Sequence, residues 1–153
     1  MYNVIVVGTD GSETAGVAVH QATALAALTG ATLHIVNAYR TLSISSVAVA
    51  ATAGGVSNID VEAVNKSVGA ESALVCEHAA SEARQLGVSV EMHAVPVETA
   101  DALVRVAEDV GADLVVVGNR GMSGKRRFVL GSVPNKVSHH CPCSLLIVDT
   151  TAD

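Results

Sequence analysis

Leu114-Val115-Val116-Val117-Gly118-Asn119-Arg120-Gly121 is the stretch whose reading decides the fold. A short β-branched run of this kind suits a strand buried on both faces, as in a parallel sheet. The run ends at Gly118 and enters a segment with further glycines at 121, 124 and 131. Ser132 then opens a short helix bearing Val133 and Val137, and Leu145-Leu146-Ile147-Val148 reads as the last strand. Strand, loop, helix, strand is the unit from which doubly wound sheets are assembled.

The same unit recurs upstream. Asn3-Val4-Ile5-Val6-Val7-Gly8 is a buried strand that runs into Gly8-Thr9-Asp10-Gly11-Ser12. Ser12 is placed to cap a helix with Ala18, Ala22 and Leu25 on one face, and Gly30 stops it. Residues 33–38 form the second strand. Residues 60–86 carry Val64, Val68, Val75, Ala79, Ala83 and Leu86 at helical spacing. Residues 88–95 are the third strand. Thr99 is expected to cap a helix with Leu103, Val106, Ala107 and Val110 inward, closed by Gly111. The order predicts one α/β domain over residues 1–153: a five-stranded, doubly wound parallel sheet with helices on both faces. Residues 39–58, rich in Ser, Ala and Gly, read as a long surface loop.

Composition narrows the function. Half the residues are apolar, and Tyr2, Tyr39 and Phe128 are the aromatic residues, so Val, Leu, Ile and Ala build the core. The formal net charge of −6 argues against general nucleic-acid binding. Yet residues 118–136 hold Arg120, Lys125, Arg126, Arg127 and Lys136 with no Asp or Glu, while all 15 acidic residues lie elsewhere. One basic loop on an acidic chain suggests a localised anion site, and a solvated basic turn is the bland alternative. No apolar run reaches the ~18 residues of a membrane span. The N-terminus lacks the cationic region of a signal peptide, and three cysteines make no disulfide framework, so a cytoplasmic location is expected.

Ligands of such sheets bind beyond the carboxyl ends of the strands, where strand order reverses. Both specialised segments, 8–12 and 118–132, are predicted to lie there. Glycines let a backbone approach a phosphate and adopt positive φ, successive N–H groups form an anion nest, and the N-terminus opened by Ser132 favours negative charge. Pro134 falls in the first turn, where its missing N–H does no harm. The loop is not a Walker A motif, because Arg126 follows Gly124-Lys125, and no G-x-G-x-x-G follows the first strand.

Val7-Gly8-Thr9-Asp10-Gly11-Ser12, the 112–118 run, the complete G-x2-G-x9-G-[ST] spacing of Gly118, Gly121, Gly131 and Ser132, and Cys141-Pro142 before the last strand together resemble the universal stress protein family. The match spans nearly the whole chain, and the glycine spacing looks like that of the ATP-binding branch. The resemblance implies an adenine nucleotide alpha hydrolase-like fold and a stress-response protein that binds ATP. Carried over by position, Gly8, Thr9 and Asp10 would flank the adenine and ribose, and Ile35 would wall the base. Val117, Gly118, Arg120 and Gly121 would line ribose and phosphates, and Gly131, Ser132 and Val133 would hold the phosphates. The resemblance also implies a homodimer through the last strand, an apolar strand expected at a sheet edge.

Asp10 has a second reading as a turn former before Gly11. Cyclic AMP is the alternative ligand, since relatives that bind it look similar around Gly118-Asn119 and 131–134; Lys125, Arg126 and Arg127 lean toward a longer polyphosphate. A slow hydrolase with Mg²⁺ or Mn²⁺ on the phosphates needs a water-orienting residue, and the sequence offers no general base beside the loop, so binding is favoured over turnover. In a third reading the nucleotide is structural and residues 41–59 meet a protein partner. No metal site is expected: His139-His140-Cys141-Pro142-Cys143 has no second ligand cluster, and His20, His34, His78 and His93 are scattered in sequence. Cys76, alone on a helix, reads as a small packed residue.

Overall fold

The computed structural model describes residues 1–46, 59–119 and 130–150. The main elements of these residues are, in order, β1 (Val4–Gly8), α1 (Glu13–Thr29), β2 (Thr32–Ala38), α2 (Val61–Gln85), β3 (Val90–Val95), α3 (Thr99–Val110), β4 (Leu114–Gly118), α4 (Ser132–His140) and β5 (Ser144–Val148). The five strands form one sheet in the order β3-β2-β1-β4-β5, every pair parallel.

Strand periodicity of two splits each β-branched run between two cores. Ile5, Val7, Leu33, Ile35, Leu114 and Val116 pack against α1 and α2 on one face. Val6, Val36, Val115 and Val117 pack against α3 and α4 on the other. Full burial of each such side chain contributes about 1.5–3 kcal/mol, which is why the central strands need no alternation of polar residues.

Local signals set the boundaries. The Ser12 hydroxyl accepts from the Ala15 amide at 3.2 Å, and Asp60 caps α2 through the Ala63 amide at 3.0 Å. Gly30 and Gly111 end α1 and α3 in the left-handed region at φ 74° and 63°. At the opposite end of the sheet the Asp113 carboxylate accepts from the amides of Asn3 and Val4 at 2.7 and 3.0 Å. These two N–H groups hold its carboxyl below the usual carboxylate range.

Two expectations change. Thr99 does not cap α3: Glu98 occupies that position without a side-chain bond, and Thr99 is the first helical residue. The buried stripe of α2 is Ser72, Cys76, Ala80 and Ala83, whereas Leu86 is exposed. Small residues bring the helix close to the sheet, and Val64, Val68, Val75 and Ala79 are only partly buried, while Ala83 is in the stripe as expected. Of residues 39–58, only those to 46 are described; the Asn65 side chain accepts from the Leu42 amide at 2.7 Å and donates to its carbonyl at 3.0 Å.

Glycine substitutions in and after α1 should have opposite signs. A Cβ at either Gly30 or Gly16 meets nothing within 4 Å, so only backbone terms differ. Gly30→Ala must hold a left-handed φ and should destabilise the fold by about 1 kcal/mol. Gly16→Ala, inside the helix, should stabilise it by about 0.5–1 kcal/mol. Urea midpoints of the two variants check the sign.

Candidate functional site

Strand order reverses between β1 and β4. The chain leaves β1 for the α1 face and β4 for the α4 face, so a crevice opens at their carboxyl ends. A cavity of about 160 Å³ lies there. Gly8, Thr9 and Asp10 line it from β1, Val117 and Gly118 from β4, and Gly131, Ser132 and Val133 from the start of α4. Two segments more than a hundred residues apart thus share one cavity. Arg120 and Gly121 lie outside the described residues.

Ile35 does not reach this cavity. It is fully buried between the sheet and the α1–α2 layer. β2 ends at Ala38, as expected, and Ile35 sits three residues before that end with its side chain in the α1–α2 core, so Asn37 and Ala38 line the cavity in its place. Asn37 is a buried polar residue with full employment. Its Nδ2 donates to the Thr9 carbonyl at 2.7 Å, and its Oδ1 accepts from the Ser72 hydroxyl at 2.5 Å. The Thr9 amide in turn donates to the Val36 carbonyl at 2.9 Å. The turn after β1 is therefore locked to the end of β2.

Within that turn Asp10 Oδ1 accepts from the amide of Ser12 at 3.0 Å and from its hydroxyl at 2.5 Å. Gly11 adopts φ 79° and donates to Thr9 Oγ1 at 3.2 Å. Asp10 is thus both a turn former and a cavity residue.

Asn119 secures the other side. Its amide donates to the Val148 carbonyl at 2.8 Å, its Nδ2 to Asp149 Oδ1 at 2.8 Å, and its Oδ1 accepts from the amide and hydroxyl of Thr150 at 3.1 and 2.9 Å. Its carbonyl accepts from the Gly131 amide at 3.0 Å. The chain on either side of residues 120–130 is pinned together at this residue. Within the G-x2-G motif Asn119 occupies a variable position, so the spacing alone did not single it out.

The first turns of α1 (Ser12, Thr14, Ala15), α3 (Thr99) and α4 all reach the cavity. Each helix start carries roughly half a positive charge. In α4 the first carbonyl-paired amide is that of Asn135, which donates to Gly131 at 3.1 Å, so the amides of Ser132 and Val133 belong to the unpaired first turn. Ser132 is not the cap itself; Gly131 is, at φ −59° and ψ 164°. That conformation is open to any residue, so Gly131 is suited to close approach of a ligand and not to positive φ. Leu103, Ala38 and Val117 supply an apolar wall.

Gly8 has a second constraint. A Cβ built there would lie 3.2 Å from both Cδ atoms of Leu103. Lys136 leaves the basic group: it pairs with Asp101 at 2.7 Å and Glu98 at 3.0 Å, and these carboxylates, Asp101 first, raise its pKa. The other four cations of the segment lie outside the described residues.

Histidines scattered in sequence are not all scattered in space. The donor atoms of His34, Glu91 and His93 lie within 4.8 Å of one another, away from the cavity. Burial lowers the His34 pKa, opposed by the Glu91 carboxylate and assisted by His93. Among the described residues no such grouping forms at 139–143. There the Cys141 and Cys143 sulfurs lie 3.8 Å apart, and burial, then Cys141, push the Cys143 thiol up to about 12. Cys76 is fully buried, as its reading as a packed residue requires. No described helix is long and apolar enough to cross a membrane.

Comparison with known proteins places this geometry in context. The model of the universal stress protein family matches residues 1–149. Universal stress protein YxiE of Bacillus subtilis is 31% identical over 151 residues, spanning 97% of this chain and 99% of its own. Universal stress protein Rv1636 of Mycobacterium tuberculosis is 38% identical over 152 residues, 98% of each chain. Among solved structures, a universal stress protein in complex with cAMP superposes with a TM-score of 0.68 at 32% identity over 98% of both chains. The protein MJ0577 shares the fold with a TM-score of 0.79 at 23% identity, covering 100% of this chain and 99% of its own.

Asn37→Ala should destabilise the protein by about 2 kcal/mol, because it strands the buried Ser72 hydroxyl and Thr9 carbonyl together. The double variant Asn37→Ala/Ser72→Ala should lose less than the sum of the two single changes. Denaturant titration of all four proteins reads this coupling, and strictly additive losses would place the two side chains in separate networks.

Proposed function

Because the chain belongs to the universal stress protein family, we propose that the cavity between β1 and β4 binds an adenine nucleotide, and that this nucleotide is ATP. The observation that carries the reading is the convergence of Gly131, Ser132 and Val133, at the start of α4, on the same cavity as Gly8, Thr9 and Asp10. An unpaired helix start favours a phosphate. The apolar wall of Leu103, Ala38 and Val117 suits a base, and the second oxygen of Asp10 suits a ribose hydroxyl or a water on a phosphate-bound Mg²⁺ or Mn²⁺. Arg120 and Gly121, with Lys125, Arg126 and Arg127, would extend the site along a polyphosphate.

The role proposed is sensing or sequestration in a stress response. Among the described cavity residues Asp10 is the one carboxylate, and Ser12 already holds one of its oxygens, which supports binding over turnover. Cyclic AMP is the second reading, favoured by the 32% identical relative solved with that ligand. Parallel titrations with ATP and cAMP, and mass spectrometry of the nucleotide released on denaturation, separate the two.

We also propose that the chain forms a homodimer through β5. This strand is a sheet edge among the described residues, and Leu145, Leu146 and Ile147 are each only partly buried. An incompletely covered apolar edge invites a partner.

Three outcomes follow. Gly131→Val keeps an ordinary backbone conformation, so it should retain its circular dichroism while losing at least about tenfold in ATP affinity by calorimetry, since its side chain fills phosphate space; unchanged affinity would place the phosphates elsewhere. Rising salt should weaken ATP binding, and less steeply in Arg126→Ala/Arg127→Ala, because exposed charges are screened over roughly 8–10 Å. Leu146→Asp should shift sedimentation toward monomer with ATP binding retained; a folded variant that stays dimeric would remove β5 from the interface.

A further inference from the structure

The parallel register of β2 and β3 pairs His34 with Glu91 and Val36 with His93. Glu91 and His93 are two residues apart, so they share a face of the sheet. Three metal-ligand side chains are thereby set on one side of two adjacent strands, positioned by main-chain pairing. His34 Nδ1 lies 3.0 Å from His93 Nε2 and 3.7 Å from Glu91 Oε2. Two nitrogens bound to one tetrahedral zinc at 2.0–2.1 Å stand about 3.3 Å apart, so the two histidine nitrogens need to part only slightly. Rotation of the exposed Glu91 side chain completes the set, the three donor atoms already lying within 4.8 Å of one another.

We propose that His34, Glu91 and His93 form a binding site for a divalent transition-metal ion of the zinc class. Two imidazoles and one carboxylate are a donor set that suits zinc, cobalt or nickel, whereas magnesium and calcium prefer an all-oxygen shell. The three protein ligands leave a fourth tetrahedral position to water or an incoming group. Access and rigidity both fit. His34 is 5% exposed and anchored on an inner strand. The Glu91 side chain is 65% exposed on edge strand β3, so an ion reaches the site from solvent without opening the core. The stacked rings, 5.2 Å between centroids and 28° between planes, present nitrogens to each other in a space that holds either a shared proton or a metal. A bound ion would clip the edge strand to β2. None of the three residues lines the cavity between β1 and β4, so this site does not depend on the nucleotide reading.

The test uses the full chain without a histidine tag, stripped with chelator, in a Cys141→Ser/Cys143→Ser background that removes competing thiolates. Calorimetry with Zn²⁺ should give one ion per chain, and Zn²⁺ should raise the melting temperature, since binding to the native state alone stabilises it. Co²⁺ should give visible d–d absorption without thiolate charge transfer. His93→Ala and Glu91→Ala, both at the solvent side, should keep the circular dichroism and each lower Zn²⁺ affinity by at least about tenfold. Absence of Zn²⁺ binding in the Cys141→Ser/Cys143→Ser background, or binding that His93→Ala leaves intact, would overturn the proposal and leave a hydrogen-bonded histidine pair.

Discussion

Two neighbouring parallel strands whose chains depart to opposite faces leave a crevice at their carboxyl ends. β1 hands the chain to α1, and β4 hands it to α4 across the sheet. The crevice between them follows from strand order, and the remaining features around it serve to hold its rims. Thr9 is tied to β2 through Val36 and Asn37, and Asn119 ties β4 to β5 and to Gly131. Without such ties, the turn after β1 and the start of α4 would border the crevice with no fixed distance between them.

Packing and site are also joined through Gly8 and Leu103. Leu103 belongs to the α3–α4 core and at the same time lines the cavity. A Cβ at residue 8 would crowd the two methyl groups of Leu103 at 3.2 Å. A glycine that sequence reasoning assigns to ligand approach therefore has a structural duty as well. Substitution at residue 8 would mix a packing defect with a binding defect, whereas Gly131, with its ordinary backbone angles, isolates the ligand's share.

What was legible in the sequence was local. Short apolar runs marked all five strands, and Gly30 and Gly111 marked helix ends, because periodicity and left-handed caps are properties of a few consecutive residues. The two segments of the cavity were legible because the glycine spacing and the resemblance pointed at them together. Ile35 does not line the cavity because it lies three residues before the carboxyl end of β2 with its side chain in the α1–α2 core, whereas Asn37, a polar residue in an apolar strand, marks the end that does. The stripe of α2 was misread because valines outweigh Ser72 and Cys76 in any apolar pattern, although the small residues make the contact. His34 and His93 were called scattered because 59 positions separate them. Only the β2–β3 register brings them together, and one chain read alone does not contain that register.

The account rests on the crevice at the β1–β4 reversal being where the nucleotide sits. The most direct measurement is a titration of isotope-labelled protein with ATP, following backbone amide resonances. The largest shifts should fall on Gly8, Thr9, Asp10, Gly118, Gly131, Ser132 and Val133, with His34, Glu91 and His93 little changed. Saturable binding whose shifts miss both segments, or no binding at all, would contradict the account.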